Sequence, residues 1–97
     1  MEQRTYTIKY AGEERQFSDI ESTISSLAGA VLHCMTNDKL SPNEDVIAIM
    51  DDDIDDHAPN TLTLVISNNT IVIEGISKAE WKKYGPPEAV EQNITLN

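Results

Sequence analysis

The most unusual group of side chains in the chain is an acidic segment near its middle. Seven of the thirteen residues from 44 to 56 carry a carboxylate: Glu44, Asp45, Asp51, Asp52, Asp53, Asp55 and Asp56. No lysine or arginine occurs between residues 40 and 77, so the segment has no basic neighbours in sequence. Carboxylates grouped in this way attract cations or the lysine and arginine side chains of a partner protein. Two interpretations stay open: a docking surface for a basic partner, and a solvated loop that only aids solubility.

Calcium binding by this segment is disfavoured by its spacing. Asp51, Asp53 and Asp55 occupy positions one, three and five of an EF-hand loop. Position six would then be Asp56 instead of glycine, and position twelve would be Leu62 instead of glutamate. Those two positions set the geometry of the loop, so we predict no dedicated metal site and no cofactor. Weak association of divalent cations is a distant alternative.

Nucleophilic catalysis would have to use the single cysteine, Cys34, with a nearby histidine. His33 is adjacent in sequence, but neighbouring residues on a helix point about 100° apart and do not face each other. We therefore predict that Cys34 is a small buried hydrophobe and that the protein is not an enzyme. A single cysteine also excludes an intrachain disulfide, which is typical of the reducing cytoplasm.

Trp81 and Tyr84 form a second candidate binding group, on a predicted helix that also carries Lys78 and Lys82. Residues three apart share a helix face, which favours a role in capping the core of a sheet. The alternative is an aromatic anchor for a partner protein, since such residues dominate many interfaces.

Composition limits the partners that the chain can bind. Its 97 residues suffice for one domain, residues 1–97, with a net charge of −10 from seventeen acids and seven bases. This charge disfavours binding to nucleic-acid phosphates and to anionic membranes. A basic protein surface remains the favoured partner.

The N-terminal half predicts two strands followed by a helix. Residues 5–10 alternate between apolar and polar side chains, and residues 14–17 can return as a second strand after a turn at 11–13. Ser18 and Glu21 match a capping box. Behind them, an apolar stripe at helical spacing consists of Ile20, Ile24, Leu27, Val31 and Met35.

The C-terminal half predicts a helix, a hairpin and a further helix. Ser41 and Pro42 are typical of a helix start, which favours a helix through Met50 over the competing strand at 46–50. Strands at 61–66 and 71–76 flank a predicted type I′ turn at Asn68 and Asn69, which pairs Ile66 with Ile71 and Leu64 with Ile73 on the face predicted to be the core side. A capping box at 77–80 then opens a helix that stops at residues 85–87, and residues 88–97 are expected to fray.

These elements predict an α+β fold, in the order ββααββα, with two β-hairpins in a small antiparallel sheet against two or three helices. The expected function is a non-enzymatic module that inhibits a nucleic-acid-binding protein by docking on its basic surface. As a helix, residues 44–56 would present a charge about every 3 Å, close to the ~3.4 Å phosphate spacing of one strand. Phage anti-defence proteins and nuclease-toxin immunity proteins are analogues by composition only. A self-associating assembly subunit, and hence a homo-oligomer, is the alternative.

Overall fold

A computed structural model describes residues 5–37, 46–84 and 94–96. It has an α+β fold, as predicted, with one sheet and two helices in these ranges. The elements in chain order are β1 (Tyr6–Tyr10), β2 (Glu13–Phe17), α1 (Ile20–Asn37), β3 (Val46–Ile49), β4 (Asn60–Ile66), β5 (Asn69–Ile76), α2 (Lys78–Tyr84) and β6 (Ile94–Leu96).

The strands form a single sheet in the order β2-β1-β5-β4-β3-β6. The first five pair antiparallel to their neighbours, and β6 adds to β3 in parallel. The two predicted hairpins therefore join side by side through β1 and β5. The pairing of β6 corrects the expectation of a frayed tail for residues 94–96; residues 85–93 lie outside the described ranges.

The turn of the first hairpin consists of Ala11 and Gly12, between the paired residues Tyr10 and Glu13. Both turn residues have positive φ, 54° and 78°. Positive φ at both central positions is the pattern of a type I′ turn, whose twist matches that of the flanking strands. The predicted turn is confirmed, and β2 begins one residue earlier than expected.

The register of the second hairpin differs from the prediction. Ile66 pairs with Asn69, not with Ile71, and Leu64 pairs with Ile71. The turn residues are thus Ser67 and Asn68, and only Ser67 has a positive φ, 56°, which fits type II′ instead of type I′. A shift of two residues leaves every side chain on its original face. The predicted core face of this hairpin is therefore confirmed although its register is wrong.

Helix α1 begins one residue later than the capping box predicts. Its N-cap is Asp19, whose Oδ2 accepts a hydrogen bond from the Ser22 amide at 2.9 Å, so the capping role predicted for Ser18 is wrong. The apolar stripe is confirmed, with Leu27 and Val31 fully buried. Cys34 is also buried, with 1% of its surface exposed, as expected for a small hydrophobe.

The helix predicted through residue 50 is wrong, because Val46–Ile49 is a strand. Val46 and Ala48 are buried, whereas Ile49 is 43% exposed, so burial alternates as it does in a strand. Pairing with β4 along its whole length fixes this conformation. The helix-start signal at 41–45 lies outside the described residues.

The core lies on one face of the sheet, between the strands and both helices. Leu27, Val31 and Cys34 of α1 and Trp81 of α2 are buried in the same cluster as alternate strand residues: Tyr6, Ile8, Val46, Ala48, Leu62, Leu64, Ile66, Ile71, Ile73 and Ile76. The alternate side chains of β3, β4 and β5, such as Ile49, Val65 and Val72, point to the opposite face and are partly or fully exposed. Neither of the two described helices is long and apolar enough to cross a membrane.

Strand β5 contains a bulge at Gly75. Asn60 of β4 pairs with Ile76 and Thr61 pairs with Glu74, which leaves Gly75 as the extra residue. Its φ is +95°, and a Cβ at this position would lie 2.5 Å from the backbone oxygen of Thr5. The close packing of β1 against β5 therefore requires glycine here.

Candidate functional site

The candidate site is the acidic loop, defined as residues 51–57 between β3 and β4. Asp51, Asp52, Asp53, Asp55 and Asp56 are all exposed. The structure thus brings five of the seven predicted carboxylates onto one short surface segment. Glu44 and Asp45 lie outside the described residues.

The spacing of the aspartates shapes the loop into two local turns. Asp51 Oδ1 accepts a hydrogen bond from the Asp53 amide at 2.9 Å, and Asp55 Oδ2 accepts one from the His57 amide at 3.0 Å. An aspartate that accepts from the amide two residues ahead forms an Asx turn. One oxygen of Asp51 and one of Asp55 therefore order the loop.

Both ends of the acidic loop are attached to regular structure. The side-chain amide of Asn60, at the start of β4, donates to the Asp51 carbonyl at 3.0 Å. The backbone amide of Ala79, in the first turn of α2, donates to the Asp56 carbonyl at 3.0 Å. Asn60 itself is only 4% exposed, so this attachment is a part of the folded core. The carboxylates are consequently presented from a fixed backbone.

Lys78, the first residue of α2, offsets some of the negative charge. Its Nζ donates to the Asp52 carbonyl at 3.0 Å and lies 3.9 Å from Asp52 Oδ1 and 3.8 Å from Asp56 Oδ1. The lysine side chain is 18% exposed, while those of Asp52 and Asp56 are 85% and 66% exposed. Five carboxylates and one ammonium leave a charge of −4 (−5 + 1), so the loop remains strongly acidic.

Replacing Lys78 with glutamine is expected to destabilise the fold by about 1 kcal/mol, because one charged hydrogen bond and two long ion pairs are lost. Lys82→Gln on the exposed side of the same helix is the matched control and should cost less than ~0.5 kcal/mol. Urea unfolding at low and high salt measures both variants. Equal effects of the two substitutions would contradict a role for Lys78 in holding the loop.

The geometry corrects one part of the sequence interpretation. Residues 51–56 are not in a helix, so the helical spacing of charges predicted for residues 44–56 does not apply to them. In the described part of the chain, no group of three or more histidine, cysteine or acidic side chains is arranged to hold a metal ion.

Trp81 and Tyr84 do not form one surface. Trp81 is 4% exposed and belongs to the core, which favours the capping role over the role of a partner anchor. Tyr84 is 40% exposed at the end of α2, with Lys83 Nζ 5.2 Å from the centre of its ring. Of these two aromatic residues, Tyr84 is the one accessible to a partner in the folded protein.

Sequence reasoning missed a cavity of about 420 Å³ between α1 and the first hairpin. At its edge, the Tyr10 hydroxyl lies 3.0 Å from His33 Nδ1, and the two rings meet edge to face. Glu13 and Arg15 also line the cavity and pair with each other at 3.8 Å, with both side chains largely exposed. Small residues at 26, 29 and 30 of the helix are the signal in the sequence that could have indicated this space.

A second missed feature is the exposed face of the sheet, which carries Ile47, Ile49, Val65 and Val72. Alternation in β4 and β5 indicates part of this face. Ile47 and Ile49 join it only once residues 46–49 are recognised as a strand.

No family model, curated protein or solved structure matches the chain, so inferences about its function rest on its own sequence and geometry.

Proposed function

We propose that the protein is a non-enzymatic binding module whose acidic loop docks on a basic surface of a partner protein. One observation carries this proposal: five exposed aspartates within six residues, on a loop whose backbone is held by two Asx turns and by contacts to β4 and α2.

The attachment of the loop favours binding because it lowers the entropy that docking would cost. A flexible acidic segment loses conformational freedom when it binds, whereas a loop already held in place loses less. The net charge of −10 adds a long-range attraction that guides a basic partner toward the protein. Affinity and rate of association should therefore both depend on the acidic loop.

A nucleic-acid-binding protein is the class of partner that this chemistry suits best. Its lysine and arginine side chains are placed to bind phosphates, and the same groups bind carboxylates through charge-assisted hydrogen bonds. Occupation of such a surface by the acidic loop would exclude the nucleic acid, so the module would act as an inhibitor. The charge and the exposure of the acidic loop support this proposal. It does not rely on a match between the spacing of the carboxylates and that of phosphates.

Neutralising the acidic loop is expected to weaken the interaction enough to prevent capture of the partner while the fold survives. Asparagine at positions 51, 52, 53, 55 and 56 removes five charges but keeps the carbonyl oxygen that each Asx turn needs. At about 0.5 kcal/mol for each exposed pair, the loss amounts to roughly 2.5 kcal/mol, or on the order of 50-fold in Kd. Immobilised protein is used to capture partners from a lysate of the source cells at about 50 mM and about 500 mM salt.

The matched control removes five charges elsewhere, through Asp19→Asn and Glu→Gln at 13, 14, 21 and 74. Asparagine is as good an N-cap as aspartate, so Asp19→Asn keeps the start of α1. A true partner is captured by the wild type and by the control, is released at high salt, and is not captured by the loop variant. Equal capture by the two variants would mean that only net charge matters, and the proposal would be wrong. Light scattering on the same samples tests the self-associating alternative.

A further inference from the structure

The face of the sheet opposite the helices carries a contiguous apolar patch, here called the open-face patch. Pairing of β5, β4 and β3 places Val72, Thr63 and Ile49 in one cross-strand row. The adjacent row consists of Thr70, Val65 and Ile47. Side chains in such rows are about 5 Å apart, so the six residues form one continuous surface.

The open-face patch is accessible to a partner. Ile49 is 43% exposed, and Ile47, Val65 and Val72 are partly exposed. Both described helices pack on the opposite face of the sheet, where α1 and α2 bury Leu27, Val31, Cys34 and Trp81. Aliphatic side chains gathered on a surface in this way are typical of interaction sites.

The charges around the open-face patch are mainly acidic. Glu74 lies two residues from Val72 on the same face of β5, and Lys9 Nζ is 3.1 Å from Glu74 and 3.8 Å from Glu14. These three groups sum to −1 (−2 + 1). On the other side, the acidic loop begins two residues after Ile49, with its charge of −4 after Lys78 is counted.

We infer that the open-face patch binds an amphipathic segment of the partner protein, with aliphatic residues against the sheet and lysine or arginine toward the acidic loop. This inference rests on the proposed function and adds the apolar half of the recognition. The apolar contact gives affinity that does not depend on salt, and the charges orient the segment. Binding of a second copy of the chain to the open-face patch is electrostatically unfavourable, because it would bring another net charge of −10 close to the acidic groups around the patch.

The test uses the full chain and two synthetic peptides of about 18 residues, or about five helical turns. One is an amphipathic helix of leucine and lysine; the other has the same lysines with serine in place of leucine. Titrations followed by amide NMR of the protein give the affinity of each peptide and the residues that it contacts. The variant Ile49→Thr, Val65→Thr, Val72→Thr removes aliphatic surface but keeps β-branched side chains that suit strands.

The expected result is that the leucine–lysine peptide binds at least about tenfold tighter than the serine–lysine peptide and shifts amides of β3, β4 and β5. The triple threonine variant should lose about that factor for the leucine–lysine peptide and bind the serine–lysine peptide as the wild type does. Native amide dispersion in the free variant shows that it is folded.

Three results would overturn the inference. If both peptides bind equally and shift only the acidic loop, the open-face patch is not used, while the proposed function stands. If neither peptide binds, the proposed function fails as well. If the free protein sediments as a dimer that the threonine variant dissociates, then a second copy occupies the patch.

Discussion

Alanine in place of Gly75 is expected to remove a large part of the stability of the fold. The new Cβ would lie 2.5 Å from the Thr5 backbone oxygen, closer than any van der Waals contact, and a φ of +95° is unfavourable for any residue with a side chain. Backbone strain of about 1–2 kcal/mol adds to the cost of moving β1 away from β5, for a total of about 4 kcal/mol. A domain of this size has a total unfolding free energy of roughly 5–10 kcal/mol.

Alanine substitutions at two other glycines distinguish the backbone strain at Gly75 from the steric clash with the Thr5 oxygen. Gly12→Ala meets no atom within 4 Å and retains only the strain of φ +78°, so we expect a loss of about 1 kcal/mol. Gly29→Ala, within α1 and also free of close contacts, should stabilise the protein by about 0.5–1 kcal/mol through helix propensity. Urea unfolding followed by circular dichroism measures all three. A cost at Gly75 no greater than at Gly12 would show that the close approach of Thr5 does not constrain the bulge.

Truncation of Trp81 to alanine is expected to cost about 3–5 kcal/mol, because it opens a cavity between α2 and the sheet. Tyr84→Ala, one helical turn later and 40% exposed, should cost less than about 1 kcal/mol. Thermal unfolding of both variants gives the comparison. A loss of partner capture by Tyr84→Ala at full stability would assign Tyr84 to the interface, whereas similar losses of stability would contradict the separation of the two aromatic residues.

Sequence signals predicted those elements whose local preferences agree with their tertiary contacts. The capping box at 77–80 is present as predicted: the Glu80 carboxylate accepts from the Ser77 amide and hydroxyl, each at 3.1 Å, and the Glu80 amide donates to the Ser77 hydroxyl at 3.1 Å. The same carboxylate accepts from the Tyr6 hydroxyl, which ties α2 to β1. Strand β3 was missed because its conformation is set by pairing with β4, which a local helix-start signal does not report.

The acidic composition of the loop is evident from the sequence, but the contacts that attach the loop to β4 and α2 are not. Lys78 lies 26 residues from Asp52 along the chain, so a local sequence pattern cannot predict the contact between them. In each Asx turn, an aspartate accepts a hydrogen bond from the backbone amide two residues ahead of it. This is a local pattern that could have been recognised in the sequence. The open-face patch required both the strand assignment of Ile49 and the register of β4 against β5.

Strand β2 forms one margin of the sheet, with β1 on one side and no strand on the other among the described residues. The backbone N–H and C=O groups along an edge strand can pair with a strand of another chain, which leads to fibrous aggregates. Here the margin carries Glu13, Glu14 and Arg15, all exposed. Hydrated charges of this kind resist burial against a neighbouring strand, so the side chains of β2 protect the sheet from aggregation at this edge.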